Sequence, residues 1–266
     1  MNICARELIF ETTRRCNGGK VYGGGQRHPC EHCLRGMPQN VVMSNDVISA
    51  IARNVDRAST LTFTGGEPTL VPRVIEEIFH QFRSKEYDSF YIVTNGVRYS
   101  PKTVAILSDE YHNNRYLDTE IAALSVSVDP FHEFNSDVYH KYRNLKFFRP
   151  DKEMDFRHSE SILDEGLAAE NGIGGRVEKP HLEIDTYNDG DIDIGLLYVN
   201  AHGDIIPGCN FSYETQERIK IGNILDESLE DIILRYIAEH GENDSEVSQE
   251  ALDRYGSQRN SDEDAA

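Results

Sequence analysis

Nowhere in the 266 residues does an apolar run approach the roughly 18 positions that cross a bilayer as a helix, so no membrane span is expected. The first residues, Met1-Asn2-Ile3-Cys4-Ala5-Arg6-Glu7, lack a basic region followed by an apolar one. That argues against a secretory signal and for a cytoplasmic location, where thiols stay reduced. Basic residues are scarce. Lys and Arg number 27 against 46 Asp and Glu, a formal net charge of −19. This opposes long-range attraction to nucleic acid, which needs clustered Lys and Arg, though it leaves room for a local basic groove. Disulfide pairing is not suggested either. The cysteines number five, an odd count, and three of them crowd into residues 16–33; in a reducing compartment such crowding points to metal. Cys4 and Cys209 stand apart, and packing is the expectation for both. There is no internal repeat and no linker clear enough to cut a second domain. The length and a hydrophobic content of 38% permit a full core, in one α/β barrel-like domain or two small ones.

Strand-like and helix-like segments alternate. Glu7–Thr13 reads as a strand running into the cysteine loop. Ser44–Val55 carries Val47, Ile48, Ile51 and Ala52 at helical spacing. Thr60–Thr64 is a β-branched strand stopped by Gly65-Gly66, and Pro72 opens a helix with Ile75, Ile78, Phe79 and Phe82 on one face. Phe90–Thr94 is the next strand. Ser100-Pro101 is a helix start with Val104, Leu107 and Tyr111 behind it. Ile121–Val128 is an apolar strand closed by Asp129-Pro130. Four strand–helix units in a row argue for a parallel sheet with helices outside. Further on, Glu160–Glu170 looks helical, Gly172–Arg176 is a turn, and His181–Asp185 and Ile192–Val199 resume strand character around an Asp189-Gly190 hairpin-type turn. Ser228 and Asp231 form a capping-box pattern before Leu229, Ile232, Ile233, Tyr236 and Ile237. Residues 241–266 hold eight acids and two bases with almost no apolar content, and read as a disordered tail.

Each strand before residue 130 ends in something unusual: the cysteines, then Gly65-Gly66-Glu67-Pro68, then Thr94-Asn95-Gly96, then Ser127 and Asp129. In parallel α/β folds ligands bind at the carboxyl ends of strands, so four polar or glycine-rich ends on one rim describe a site. Three thiolates in one loop can hold a metal cluster and leave one metal unliganded. A glycine pair at a strand end lets a small cationic ligand lie against bare backbone. The residue-level alternatives are plain: Cys16, Cys30 and Cys33 with His28 or His32 make a structural zinc site, Gly65-Gly66 and Asn95-Gly96 are ordinary turns, and Asp129 caps a turn.

These motifs, in this order, resemble the radical S-adenosylmethionine (SAM) superfamily over residues 5–200. In that family three cysteines bind a 4Fe-4S cluster after the first strand, and a Gly-Gly-Glu-Pro motif ends the second. Cys16, Cys30 and Cys33 match the cysteines; Gly65, Gly66, Glu67 and Pro68 match the second motif. His32 falls where the family has an aromatic residue. Thr94, Asn95, Ser127 and Asp129 look like later cofactor-contacting strand ends, and the turn at Arg176 like a further one. The resemblance implies an α/β fold, a partial, open parallel (β/α)6 TIM-like barrel, with residues 1–197 as its core. Residues 198–240, from Tyr198-Val199-Asn200 through Cys209 to Ile221-Gly222-Asn223-Ile224, look like a degenerate SPASM/twitch-like extension. It keeps a strand hairpin and helix but, with Cys209 alone, not the auxiliary clusters.

The implied cofactors are a 4Fe-4S cluster and S-adenosyl-L-methionine, and the implied activity is reductive cleavage of that cofactor followed by hydrogen-atom abstraction from a substrate. Glu67 would help bind the methionyl ammonium and Arg176 would face the carboxylate. A flavodoxin- or ferredoxin-type protein would supply the electron. A peptide is the first substrate reading and a nucleoside or pterin precursor the second; a non-catalytic cluster- or zinc-binding partner protein is the reading from another class. One departure from the family pattern is the first gap, which is thirteen residues (17–29) rather than three. Closing the longer loop costs about 1.3 kcal/mol more, small beside thiolate–metal binding energies of order 10 kcal/mol.

Overall fold

The computed structural model describes residues 2–21, 27–131, 134–150, 162–187 and 190–240. The acidic tail, Gly23–Gly25 of the cysteine loop, the start of the helix expected from Glu160, and Asp189 lie outside them. Along the chain, β1 (Ile3–Thr13) leads into a small hairpin, β2 (Lys20–Val21) and β3 (Arg27–His28). Next come α1 (Asn45–Asn54), β4 (Arg57–Gly65), α2 (Pro72–Phe82), β5 (Ser89–Thr94), α3 (Pro101–Asn113), β6 (Ala123–Val126) and α4 (Ser136–Arg143). The chain continues through α5 (Gly166–Glu170), β7 (Ile184–Thr186), β8 (Ile192–Val199), β9 (Asp204–Ile206), α6 (Tyr213–Ile219), β10 (Gly222–Asn223) and α7 (Leu229–His240).

The main sheet is ordered β10-β9-β8-β1-β4-β5-β6, with β7 also paired to β8. From β8 to β6 every pairing is parallel, and β7, β9 and β10 are antiparallel additions on the β8 side. The sheet is thus the parallel α/β core of an open barrel. Beyond β6 a further parallel position is held by one bridge, Leu124 with Phe148, where Leu124 N–H donates to Phe147 O at 2.8 Å and Arg149 N–H to Leu124 O at 3.0 Å. The strand expected at His181–Asp185 forms three residues later, as β7, and turns back on β8.

The helices start where their caps place them. Ser44 accepts from Val47 N–H ahead of α1, Ser100 from Thr103 N–H ahead of α3, and Ser228 from Asp231 N–H ahead of α7. Alternation along the strands then separates two faces. Leu8 and Phe10, Leu61 and Phe63, Phe90 and Ile92, and Leu124 and Val126 join Val47, Ile51, Ile75, Ile78 and Leu107 in one apolar core beneath the helices. Leu229, Ile232 and Ile233 of α7 belong to that core and pack near α1. The opposite face of the same strands carries Glu7, Ile9, Thr62, Thr64, Tyr91 and Val93, and these line a cavity. No helix among the described residues is long and apolar enough to cross a membrane.

One buried polar network ties β1 to the C-terminal segment. Glu11 and Arg14, 0% and 2% exposed, are joined through Arg14 Nε and Glu11 Oε1 at 2.7 Å. Glu11 also accepts from Tyr198 Oη at 2.7 Å, Gln216 Nε2 at 3.2 Å and Ala201 N–H at 3.2 Å. Arg14 donates further to Gln216 Oε1 and Gln39 Oε1, and its guanidinium lies over the Tyr213 ring. Every lone-pair direction of the buried carboxylate is met, as burial of a charge demands.

Candidate functional site

The cysteine loop leaves the carboxyl end of β1. Lys20 pairs with His28 and Val21 with Arg27, so β2 and β3 close it. Gly19, at φ +93°, allows the crossing, since a Cβ there would sit 1.7 Å from His28 O. The hairpin draws Cys16 and Cys30 together. A Cβ added to Gly18 would lie 3.2 Å from Cys16 Sγ, 3.5 Å from Cys30 Sγ and 3.2 Å from Asn95 Nδ2. Cys33 follows through a tight turn, its N–H donating to Cys30 O at 3.0 Å. All three thiols line one cavity of about 420 Å³, together with Gly65, Gly66, Glu67, Pro68, Thr94, Asn95, Ser127 and His32.

Burial pushes the Cys16 thiol up to about 11, against the opposing Gly18 N–H, and the Cys30 thiol up to about 12, with the Cys33 and Cys16 charges adding to burial. Burial raises Cys33 as well. As bare groups they hold their protons at neutral pH, and a bound metal would displace them. Among the described residues no three His, Cys, Asp or Glu side chains converge closely enough to hold a single metal ion. A tetrahedral zinc would draw its sulfurs within about 4 Å of one another, at Zn–S distances of about 2.3 Å. Thiolates at the corners of a multinuclear cluster stand further apart, and the side-chain-free space at Gly18 between two of them suits that donor set.

The glycine pair has a structural task of its own. Gly65 sits at φ +127°, and a Cβ there would lie 2.1 Å from Thr13 O; at Gly66 it would lie 2.3 Å from Arg15 O. Gly66 N–H and Glu67 N–H donate to Thr13 O and Arg15 O, each at 2.8 Å. The bare side of the pair therefore faces the end of β1, where it lets β4 and the cysteine loop cross. Gly65→Ala should cost at least about 2 kcal/mol, from the strained φ plus a backbone clash. An unchanged midpoint in urea unfolding would contradict this assignment.

Glu67, 1% exposed, fastens the neighbouring strand ends. Its Oε1 accepts from Thr69 N–H, Thr69 Oγ1 and Thr94 Oγ1, and its Oε2 from Asn95 N–H at 2.7 Å. Burial raises its pKa against these four donors. At most one acceptor direction, on Oε2, is left for a ligand. Asn95 Nδ2 donates to Asn17 Oδ1 at 3.0 Å and approaches Cys16 Sγ at 3.7 Å. Ser127 N–H donates to Thr94 O at 2.9 Å, aligning the β5 and β6 ends. Asp129 caps the turn after β6 by accepting from Phe131 N–H, and its Oδ2 stands 3.7 Å from Nε2 of His32, whose ring stacks on Phe131. Arg176 is placed elsewhere. It is half exposed, pairs with Glu178, and is absent from the cavity wall.

Several cavity residues were not singled out from sequence: Glu7, Thr62, Tyr91, Arg35 and Asn210. Cys209 also lines it, where packing alone was expected. For the first three the signal was partial, since they alternate with the buried apolar residues of β1, β4 and β5, but Ile9 and Val93 share their face. Nothing local marks Arg35, which reaches its place by packing against residues more than 150 positions away.

No family profile and no curated protein matches the sequence. Among solved structures, the chain is similar to a hexahistidine-tagged anSMEcpe with bound AdoMet, at TM-score 0.51 and 14% identity over 88% of this chain and 77% of that one. Native anSMEcpe with bound AdoMet and a peptide gives 0.51 and 13% over 87% and 80%. BtrN in complex with AdoMet and 2-DOIA gives 0.50 and 14% over 87% and 83%. These neighbours are radical SAM enzymes, and at such identities the likeness is one of architecture. By fold, this chain is similar to these AdoMet-bound structures.

Proposed function

We propose that the chain is a radical SAM enzyme that carries a 4Fe-4S cluster on Cys16, Cys30 and Cys33 and cleaves S-adenosylmethionine reductively, to take a hydrogen atom from a substrate. The observation that carries this reading is the meeting of three thiols with the Gly65-Gly66 strand end in one cavity, in a fold whose solved neighbours hold AdoMet. When bound, the cluster would supply the electron that breaks the sulfonium bond.

The protein's part is placement. Gly18 keeps the space between Cys16 and Cys30 clear, and Glu67 locks the β4 and β5 ends against each other. Thr94, Asn95 and Ser127 border the same space. A cavity of about 420 Å³ falls within the range of small-molecule sites. The electron donor is taken to be a flavodoxin- or ferredoxin-type protein. A peptide substrate follows from the likeness of residues 198–235 to the extension of peptide-modifying enzymes. The solved neighbours hold a peptide in one case and 2-DOIA in another, so the fold favours neither substrate reading.

Anaerobic reconstitution with iron and sulfide should give a brown protein with about four irons per chain, and the reduced protein should convert S-adenosylmethionine to 5′-deoxyadenosine. A colourless protein that takes up zinc instead would sink the proposal and favour a binding module. A cluster without cofactor cleavage, across a screened substrate set, would favour a non-catalytic partner protein.

A further inference from the structure

The cavity contains a cation, Arg35, whose charge reaches the Cys33 thiol but whose guanidinium is not needed as a ligand by the three-thiol site. Arg35 is only 9% exposed, lines the cavity, and has no carboxylate at ion-pair distance among the described residues. Its one side-chain hydrogen bond among them is from Nη1 to Phe211 O at 2.8 Å, and its guanidinium lies 5.0 Å from the centre of the Tyr198 ring. The nearest buried anion, Glu11, is already engaged by Arg14, Tyr198, Gln216 and Ala201. Two buried guanidiniums therefore share one buried carboxylate. A guanidinium presents five donors in a planar fork suited to a carboxylate or phosphate. A buried charge without a carboxylate in contact is costly to the fold, and the charge of Arg35 is supported at a distance, Glu11 among its supports, which leaves the fork of donors open toward the cavity.

Arg35 follows Cys33 by two residues, but its guanidinium reaches away from the β4 and β5 strand ends that resemble the cofactor-binding set. It packs on β8 and the segment at Phe211, whereas Glu67, Thr94 and Asn95 belong to the ends of β4 and β5, with β1 between the two groups in the sheet. Cys209, Asn210 and Glu7 line the cavity with it, and Glu7 is held by Thr62 Oγ1 at 2.6 Å.

We infer that Arg35 is the recognition residue for an oxyanion of the substrate, a carboxylate or a phosphate, in the part of the cavity walled by Cys209 and Asn210. The inference rests on the cavity being the substrate site proposed above, but its anion titration needs neither cluster nor S-adenosylmethionine, so the two fail separately. Arg35→Met should fold, because Phe211 O keeps a second donor, Gln216 Nε2 at 3.2 Å.

The full chain, wild type, Arg35→Met and Arg35→Lys, is titrated with inorganic phosphate and with succinate, binding being read by ligand-observed NMR and thermal shift. Saturable binding of one anion per chain is expected in the wild type, weakened at least tenfold by Arg35→Met and less by Arg35→Lys. Preference for phosphate would assign a phosphorylated substrate, and preference for succinate a carboxylic one. Should Arg35→Met fail to fold, weakened binding in Arg35→Lys with wild-type circular dichroism carries the same conclusion. No saturable binding of either anion, or binding indifferent to both substitutions, overturns the inference. So does a matching loss of S-adenosylmethionine affinity in equilibrium dialysis of the reconstituted protein, which would reassign Arg35 to the cofactor's carboxylate.

Discussion

Cys16→Ala, Cys30→Ala and Cys33→Ala chains, reconstituted anaerobically, are expected to be nearly colourless and to form 5′-deoxyadenosine at least about a hundredfold more slowly than the wild type. Losing even an outer-shell partner of a metal site costs about 10–100-fold, and these substitutions remove a ligand. Loss of folding is not the cause to expect. Each replacement removes one sulfur beside the cavity, a deletion worth about 1 kcal/mol in packing. Chemical denaturation of the three variants should therefore give midpoints close to the wild type's, while iron content collapses. Cys209→Ala is the control: its thiol lines the same cavity but stands outside the trio, so the brown colour should persist. Iron retained in full by any of the three Ala variants would remove that cysteine from the ligand set.

The largest effect on stability is expected at Glu11. Glu11→Leu leaves the Arg14 guanidinium buried with no carboxylate in contact except the half-exposed Glu217, 3.9 Å away. Breaking a buried pair from one side costs about 3–5 kcal/mol. The same substitution frees Tyr198 Oη and Ala201 N–H of their acceptor and takes one from Gln216, all three residues lying in the C-terminal segment. Adding Arg14→Met removes the stranded charge, so the double variant should regain part of the loss and the double-mutant cycle should show a coupling of about 2 kcal/mol or more. Unfolding free energies from chemical denaturation of the four chains decide it. Simple additivity would mean that Glu11 and Arg14 do not act as a pair.

The elements most legible in the sequence are those whose reasons are local. α1 and α3 begin at Ser44 and Ser100, as serine ahead of an apolar helical period requires, and α2 buries the predicted Ile75, Ile78, Phe79 and Phe82. The cysteine and glycine motifs fall at strand ends on one rim because each follows an apolar strand of a parallel sheet. Elements that depend on a distant partner were less legible. The β2–β3 hairpin hides in a glycine-rich run with no apolar alternation. Beyond β6, the described residues supply a single bridge, Leu124 with Phe148, which no local pattern marks. Glu67 looked in sequence like a ligand for an ammonium group; in three dimensions its acceptors are mostly taken by Thr69, Thr94 and Asn95.

The sequence by itself determined the alternation of strands and helices, the face of each helix that is buried, and the grouping of three thiols with a glycine pair. These follow from periods of 2 and 3.6 residues and from backbone demands that act over a few positions. Only the tertiary structure decided that Glu11 pairs with Arg14 beside Tyr198, that Arg176 pairs with Glu178 outside the cavity wall, and that Arg35 lines the cavity with no carboxylate in contact among the described residues. Burial and charge pairing depend on contacts between residues far apart in the chain, and no local period encodes which of two similar carboxylates or guanidiniums will meet them.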